Sequence, residues 1–499
     1  MMQNPLPLFI AIPLASAFLN SLLGKRIKGF SDVLSSIATL ALAAISIYSV
    51  FLIKDVGSIV YKVGGWMPPI GIAMVMDSLT VFMLVTINVV AFLISVYSIN
   101  YMEKYTEKGI FYSLFLLMIA GMNGVIISGD MFNLYVFLEI AAISSYALVA
   151  FGTEQEELEA SFKYAVMGSL ASSFILLGIV FLYSYTSTLN MADMAMTLLT
   201  NGPSRIVLLA SVLFLMGFGL KSALVPFHAW LPDAHPSAPA PISAMLSGVL
   251  IKSLGVYAMV RIFFSVLGAT PEILSILMVI GSLSIVIGAC LALGQWDFKR
   301  LLAYSSINQI GYVILGISLG TPLGILGGLF HLLNHSVFKS LLFLNSGAVE
   351  YSTGTRDLQK MGGLREKMPV TALTSLVGSM SIAGVPPFNG FWSKLIIIVA
   401  CVQSGHFVHA SWAVLASIIT LAYFLKVQKH AFFGELKEGL SNVKEAPFFM
   451  KFSMIVLAII CLAGGLLMLP AVSGDFLKAA RDVVLAGQDY ITVVFGAIK

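Results

Sequence analysis

Apolar runs about as long as a bilayer crossing follow one another along nearly the whole chain, parted by short loops that hold most of the charge. A helix needs about 20 mostly apolar residues to cross the hydrocarbon core. Such runs lie at residues 5–23, 31–53, 77–101, 110–128, 130–151, 162–185, 205–228, 241–267, 272–293, 299–319, 323–348, 369–404, 407–428 and 448–470. The pattern predicts an all-α polytopic membrane protein with about 14 transmembrane helices. Residues 484–497 read as a short amphipathic tail at the membrane interface. The first run has no basic stretch before it and no clear small-residue cleavage site. It is therefore expected to be a retained span and not a signal peptide.

Composition agrees. Of 499 residues, 59% are hydrophobic and 10% charged, against about 25% charged in a soluble domain. This excludes a soluble enzyme carried on an anchor. The net charge of +4 says less than where the charge lies. Connections after odd-numbered spans hold Lys25, Arg26, Lys28, Lys104, Lys108, Lys163, Lys299, Arg300, Arg356, Lys360, Arg365, Lys367 and the basic stretch 426–451. Connections after even-numbered spans, apart from the C-terminal tail, hold only Lys54, Lys62, Arg205 and Arg261. Positive loops stay in the cytoplasm, which predicts that both termini face outward from the cell membrane. One inner loop, residues 154–159, is acidic, but carboxylates weigh little in this rule. The three cysteines, Cys290, Cys401 and Cys461, are far apart and in apolar surroundings. No disulfide framework, iron–sulfur cluster, metal site or other cofactor is expected from them.

Two spans carry helix breakers. One reads Gly219-Leu-Lys-Ser-Ala-Leu-Val-Pro-Phe-His-Ala-Trp230, the other Gly384-Val-Pro-Pro-Phe-Asn-Gly-Phe-Trp-Ser-Lys394. Pro226, Pro386 and Pro387 remove backbone donors and clash with the preceding turn, so the helices must break or kink there. Irregular backbone at membrane depth is tolerated only against protein or water. The two spans, seventh and twelfth in order, run in opposite directions. This is the mark of an inverted repeat in which discontinuous helices build ion sites near the midplane. Packing kinks are the plainer reading, made less attractive by a lysine beside each break.

Four lysines, Lys221, Lys252, Lys339 and Lys394, lie inside apolar spans, and Glu139 lies in another. A charge at the bilayer centre costs at least about 2.5–3.5 kcal/mol, and such residues mark ion or proton paths. Glu139 is the natural partner of Lys221, either in a static salt bridge or in a pair whose separation frees a proton. His331, His335 and Lys339 recur at one-turn spacing on one helix face. Imidazoles in such a stripe relay protons, or else glue helices as a polar seam; a haem or metal pair is the third reading. Lys252 is placed to pass a proton toward His331 or Lys339, with Lys394 as the last station.

The run 221–248, the segment Phe132-Asn-Leu-Tyr-Val-Phe-Leu-Glu139, the 331–339 stripe and the 384–394 break together resemble the antiporter-like subunits of respiratory complex I and of Mrp cation/proton antiporters. The likeness covers about residues 70–430 and is nearest the D-type Mrp subunit. It implies that the counterparts of Glu139, Lys221, Lys252 and Lys394 are essential to the proton path. It also implies two inverted five-helix repeats. These divide the chain into residues 1–109 (helices one to three), 110–267 (helices four to eight), 268–430 (helices nine to thirteen) and 431–499 (helix fourteen and the tail). The implied partners are other Mrp-type subunits or the redox module of a membrane-bound hydrogenase, sulfur/sulfane reductase or complex I-like assembly, together with lipid, H⁺ and Na⁺. No nucleic acid is expected. The chain lacks a Gly-rich phosphate loop after a strand and cluster cysteines, so it is not read as the redox enzyme itself. Quinone binding and a purely structural subunit are the competing classes.

Overall fold

The computed structural model describes residues 4–105, 107–202, 204–469 and 474–496. The two chain ends, whose outward placement the loop charges predict, lie outside the described residues, as does residue 497 of the tail. The fold is overwhelmingly helical. Ten helices among the described residues are long and apolar enough to cross a bilayer: Phe30–Val56, Ser78–Lys104, Lys108–Ile127, Met131–Val149, Gln155–Thr186, Ala240–Val266, Pro271–Leu293, Phe298–Ser318, Phe407–Phe432 and Phe448–Met468. Leu8–Leu23, Pro369–Ala383 and Asn389–Gln403 are apolar but shorter. Arg205–Lys221 ends early, and Pro322–Thr353 is long but carries His, Asn, Ser and Lys along its length.

Local chemistry sets the helix ends. Asp77, Asp130 and Asp297 each accept a hydrogen bond from a first-turn backbone N–H at 2.8 Å, which satisfies one of the donors a helix start leaves unpaired. Residues 154–159, expected as a loop, instead open the helix Gln155–Thr186. Glu154 and Glu157 form a capping box, and acidic residues suit the positive end of the helix dipole. A hairpin of two short strands, β1 (Ile59–Lys62) and β2 (Ala73–Met76), pairs antiparallel with Ile59 opposite Met76, a small departure from the all-α expectation. The short helix Met191–Asn201 is a second element that the apolar pattern left as loop.

The loops sort onto two faces. On one, Arg356 joins Glu156, Asp297 and the carbonyl of Pro236, while Lys163 meets Asp233. This charged face gathers connections that follow odd-numbered spans. On the other, the Gly129 N–H donates to Ala73, Met131 to Leu189, and the Gln488 side chain to Val266. This hairpin face gathers the even-numbered connections and the tail. The tail is docked: Val484, Tyr490 and Val494 are buried against protein, so its apolar face is already occupied.

At the centre, Ala240–Val266 is buried along its whole length. Leu246–Leu250, Lys252–Tyr257 and Arg261–Val266 wind in wide turns closed by i→i+5 bonds, a form common at functional sites. Arg261, counted above among loop charges, sits inside this helix.

Candidate functional site

Both breaks appear where the prolines require them, with different architecture. The first lies at the end of Arg205–Lys221, after which residues 222–230 are unwound and only the short helix Leu231–Ser237 follows. Buried Ala223 has φ of 53°, a left-handed conformation that costs a residue with a Cβ about 1–2 kcal/mol. The unwound backbone is not left bare: the Val225 N–H donates to Ser284 Oγ at 2.9 Å, and Trp230 Nε1 donates to the Leu220 carbonyl at 3.0 Å. The second break divides its span into Pro369–Ala383 and Asn389–Gln403, with Pro386 and Pro387 between them. Gly384 has φ of 81°, which strains any residue with a Cβ, and a Cβ there meets the Lys394 stem at 3.1 Å, so a side chain is crowded as well.

Lys221 ends its helix, where the dipole favours a cation by about 0.3–1 kcal/mol. Its Nζ stands 4.0 Å from Glu139 Oε1 and donates to the Tyr146 hydroxyl at 3.5 Å. The Ser172 hydroxyl donates to the same carboxylate. The Lys221 side chain is 6% exposed, that of Glu139 27%. The expected pair is thus present, with Tyr146 and Ser172 completing it.

Lys252 is fully buried and has no carboxylate beside it among the described residues. It donates to the carbonyls of Ser247 and Gly248 at 2.5 and 2.6 Å, which the wide turn Leu246–Leu250 turns toward it. Lys339, also fully buried, donates to the Ser305 hydroxyl and lies 5.8 Å from the Phe343 ring centre. His331 is held at both nitrogens, Nδ1 by Ser393 Oγ at 2.9 Å and Nε2 by Gln309 Oε1 at 3.1 Å. The His335 ring lies 6.4 Å from that of His331, and neither of its nitrogens meets a hydrogen-bond partner among the described residues. Lys252, Lys339 and Lys394 are all within electrostatic reach of His335. Lys394 donates to the Ile382 carbonyl at 2.8 Å and to Ser417 Oγ at 3.3 Å, with the Tyr312 ring 4.8 Å away. Ile382 lies in the last turn of Pro369–Ala383, so Lys394 too sits at the negative end of a helix.

The structure therefore brings the candidate residues into two groups. Glu139 and Lys221 form one; Lys252, Lys339, His335, His331 and Lys394 form the other. They adjoin where Ser222, next to Lys221, packs on Gly255, one turn from Lys252. Sequence reasoning missed Tyr146, Ser172, Ser305, Gln309, Ser393 and His235. Gln309 was detectable as an amide inside an apolar span. His235, fully buried and within reach of Lys252 and Lys339, was visible only as part of a motif.

Residues 128–420 match the family described as NADH:quinone oxidoreductase/Mrp antiporter, TM. The chain belongs to this family. Residues 66–112 match a second family description, the N-terminus of chain 5 of NADH-ubiquinone oxidoreductase (complex I). Among curated relatives, subunit N of NADH-quinone oxidoreductase from Desulforudis audaxviator is 37% identical over 87% of this chain and 86% of its own length. The D-type subunit of the Na⁺/H⁺ antiporter from Alkalihalophilus pseudofirmus is 34% identical over 89% and 90%. Among solved structures, a chain of the Mrp complex from Dietzia sp. superposes with a TM-score of 0.91 at 28% identity, covering 99% of both chains. A chain of an archaeal membrane-bound sulfane sulfur reductase superposes with a TM-score of 0.90 at 34% identity, covering 98% of this chain and 99% of that one.

Proposed function

We propose that the chain is the proton-translocating, D-type subunit of a multisubunit Mrp-type Na⁺/H⁺ antiporter, and that Glu139, Lys221, Lys252, Lys339, His335, His331 and Lys394 carry the proton. The observation that carries this is the set of four buried lysines, only one of which faces a carboxylate among the described residues. An unpaired buried ammonium is expensive. Lys252, Lys339 and Lys394 are held by carbonyl and hydroxyl oxygens instead, so no ion pair must break when a proton leaves. A relative named for a Na⁺/H⁺ antiporter and a structural neighbour from an Mrp complex support the same reading.

In this reading the path lies in two inverted five-helix repeats, residues 110–267 and 268–430, one break in each, with residues 1–109 and 431–499 flanking them. Leu8–Leu23, Arg205–Lys221, Pro322–Thr353 and the broken pair raise the crossings to fourteen. The charged face is cytoplasmic, the hairpin face and both termini are outer, and the membrane is the cell membrane. Neighbouring subunits cover Glu139: a carboxylate more than a quarter exposed on an apolar helix is costly against lipid.

A second reading has a specific observation behind it. The sulfane sulfur reductase chain matches as completely as the Mrp chain, and the Desulforudis audaxviator relative is named for a quinone oxidoreductase. There the same path is driven by a redox module. Gentle purification of the native complex with mass spectrometry of its partners separates the two. Small membrane subunits alone, with sodium-driven proton movement in vesicles, support the antiporter. Iron–sulfur subunits, with no such movement, overturn it in favour of the redox-driven pump.

A further inference from the structure

One fully buried ion pair stands apart from the path. Arg261, further along the helix that carries Lys252, meets Asp77, the N-cap of the helix Ser78–Tyr101. Arg261 Nη1 lies 2.8 Å from Asp77 Oδ2, and Nη2 donates to Asp77 Oδ1 at 2.9 Å and to Thr80 Oγ1 at 3.2 Å. The two side chains are 2% and 3% exposed. Arg261 Nε donates to the Tyr257 hydroxyl at 3.3 Å, and that hydroxyl donates to the Ile126 carbonyl. The Tyr490 ring, from the docked tail, covers the guanidinium at 5.1 Å. The pair thus fills the place where the Lys252 helix, the start of Ser78–Tyr101 and the tail converge on the hairpin face.

We propose that Arg261 and Asp77 form a proton barrier that closes the hairpin-face end of the Lys252 helix, so that protons reaching Lys252 leave along Lys339, His335 and His331. This deepens the transport reading and rests on it. A guanidinium stays protonated at any physiological pH and cannot pass a proton on. Burial works to raise the Asp77 carboxyl, but the Arg261 charge and its hydrogen bonds outweigh it and hold the group below the usual carboxylate range, where it is a poor proton acceptor. Fixed arginines act as barriers to protons and cations in membrane pores. A buried ion pair is also weak as a stabilising device, since apolar residues of similar size often serve as well.

The test is the passive proton leak of closed vesicles that hold the whole complex. A pH gradient is imposed without sodium and followed by a trapped pH dye, with the amount of assembled complex quantified. Arg261→Met is expected to speed the leak several-fold, and adding Lys252→Ala is expected to cancel the gain. A wild-type leak in assembled Arg261→Met complex overturns the barrier. So does a fast leak that survives Lys252→Ala, since it does not pass through that lysine. If Arg261→Met fails to assemble, Arg261→Gln, which keeps a hydrogen-bonding group beside Asp77 but removes the fixed charge, is expected to raise the leak, and an unchanged leak overturns the proposal. Failure of the transport reading itself looks different: wild-type vesicles show no sodium-driven proton movement, whatever their leak.

Discussion

Gly390 opens the second half of the broken span, and a methyl group there lands on the Ser381 carbonyl oxygen of the first half. No side-chain rotation relieves a clash with backbone. In Gly390→Ala the halves must therefore part by about 1 Å to restore van der Waals distance. Lys394 lies one turn further on, its ammonium 2.8 Å from the carbonyl of Ile382, the residue after Ser381. Parting by that much takes the bond past the roughly 3.2 Å reach of an ordinary N–H···O contact. A hydrogen bond to a charged group contributes about 1.5–3 kcal/mol, and each 1.36 kcal/mol on a barrier is about tenfold in rate. Transport through Lys394 should fall roughly 10- to 100-fold. The assay is sodium-driven proton movement in vesicles, normalised to assembled complex. Gly294→Ala is the control, because its added carbon approaches nothing closer than 3.9 Å. If Gly390→Ala assembles and transports within about twofold of wild type, the end of the first half-helix does not position Lys394, and the reasoning fails.

Lys221→Ala and Glu139→Ala should each abolish proton movement with the complex still assembled; normal transport in either removes that pair from the path. Lys394→Ala should do the same, and a defect confined to assembly makes the lysine structural. Asp77 gives a pH dependence. Its folded carboxyl titrates below the unfolded value near pH 4, so the pair's stabilisation is full above that pH and is lost as pH falls through the folded value. Asp77→Asn should lower the thermal midpoint of the purified complex at neutral pH and make it less sensitive to acid below about pH 4. An acid dependence equal to that of wild type shows that Asp77 does not contribute there.

Much of the membrane architecture was legible because bilayer crossing imposes length and apolarity on local sequence. The breaks were legible because proline has no backbone donor: Pro386 and Pro387 do stand between two half-helices. Where the reading slipped, the cause was not local. Residues 154–159 look like an acidic loop, but carboxylates at a helix start are stabilised by the dipole and by capping, so the helix begins there. Arg261 was counted with the loop charges although it falls within the run 241–267, because its partner Asp77 is 184 positions away and only the folded chain brings them together. The wide turns around Lys252 have no residue signature at all. The Glu139–Lys221 pair was readable as a charge complement, yet Tyr146 and Ser172, which complete it, are ordinary residues of apolar helices.

The lysines themselves show why breaks and charges occur together. Within an intact helix every central carbonyl already accepts one bond from the chain, so it offers a buried ammonium only its second lone pair. A helix that stops at depth frees its last carbonyls, and a wide turn re-aims others away from the regular ladder. Lys394 takes the first kind at Ile382, Lys252 the second at Ser247 and Gly248. Lys221 stands at a helix end too, but it faces Glu139 and so is bound by charge as well as by the dipole. Among the described residues, that is the only one of the four buried lysines held by an anion that can be moved or neutralised. If the proposed path couples proton movement to an event outside the chain, the coupling enters at Glu139, the one proposed member with a substantial part of its side chain exposed.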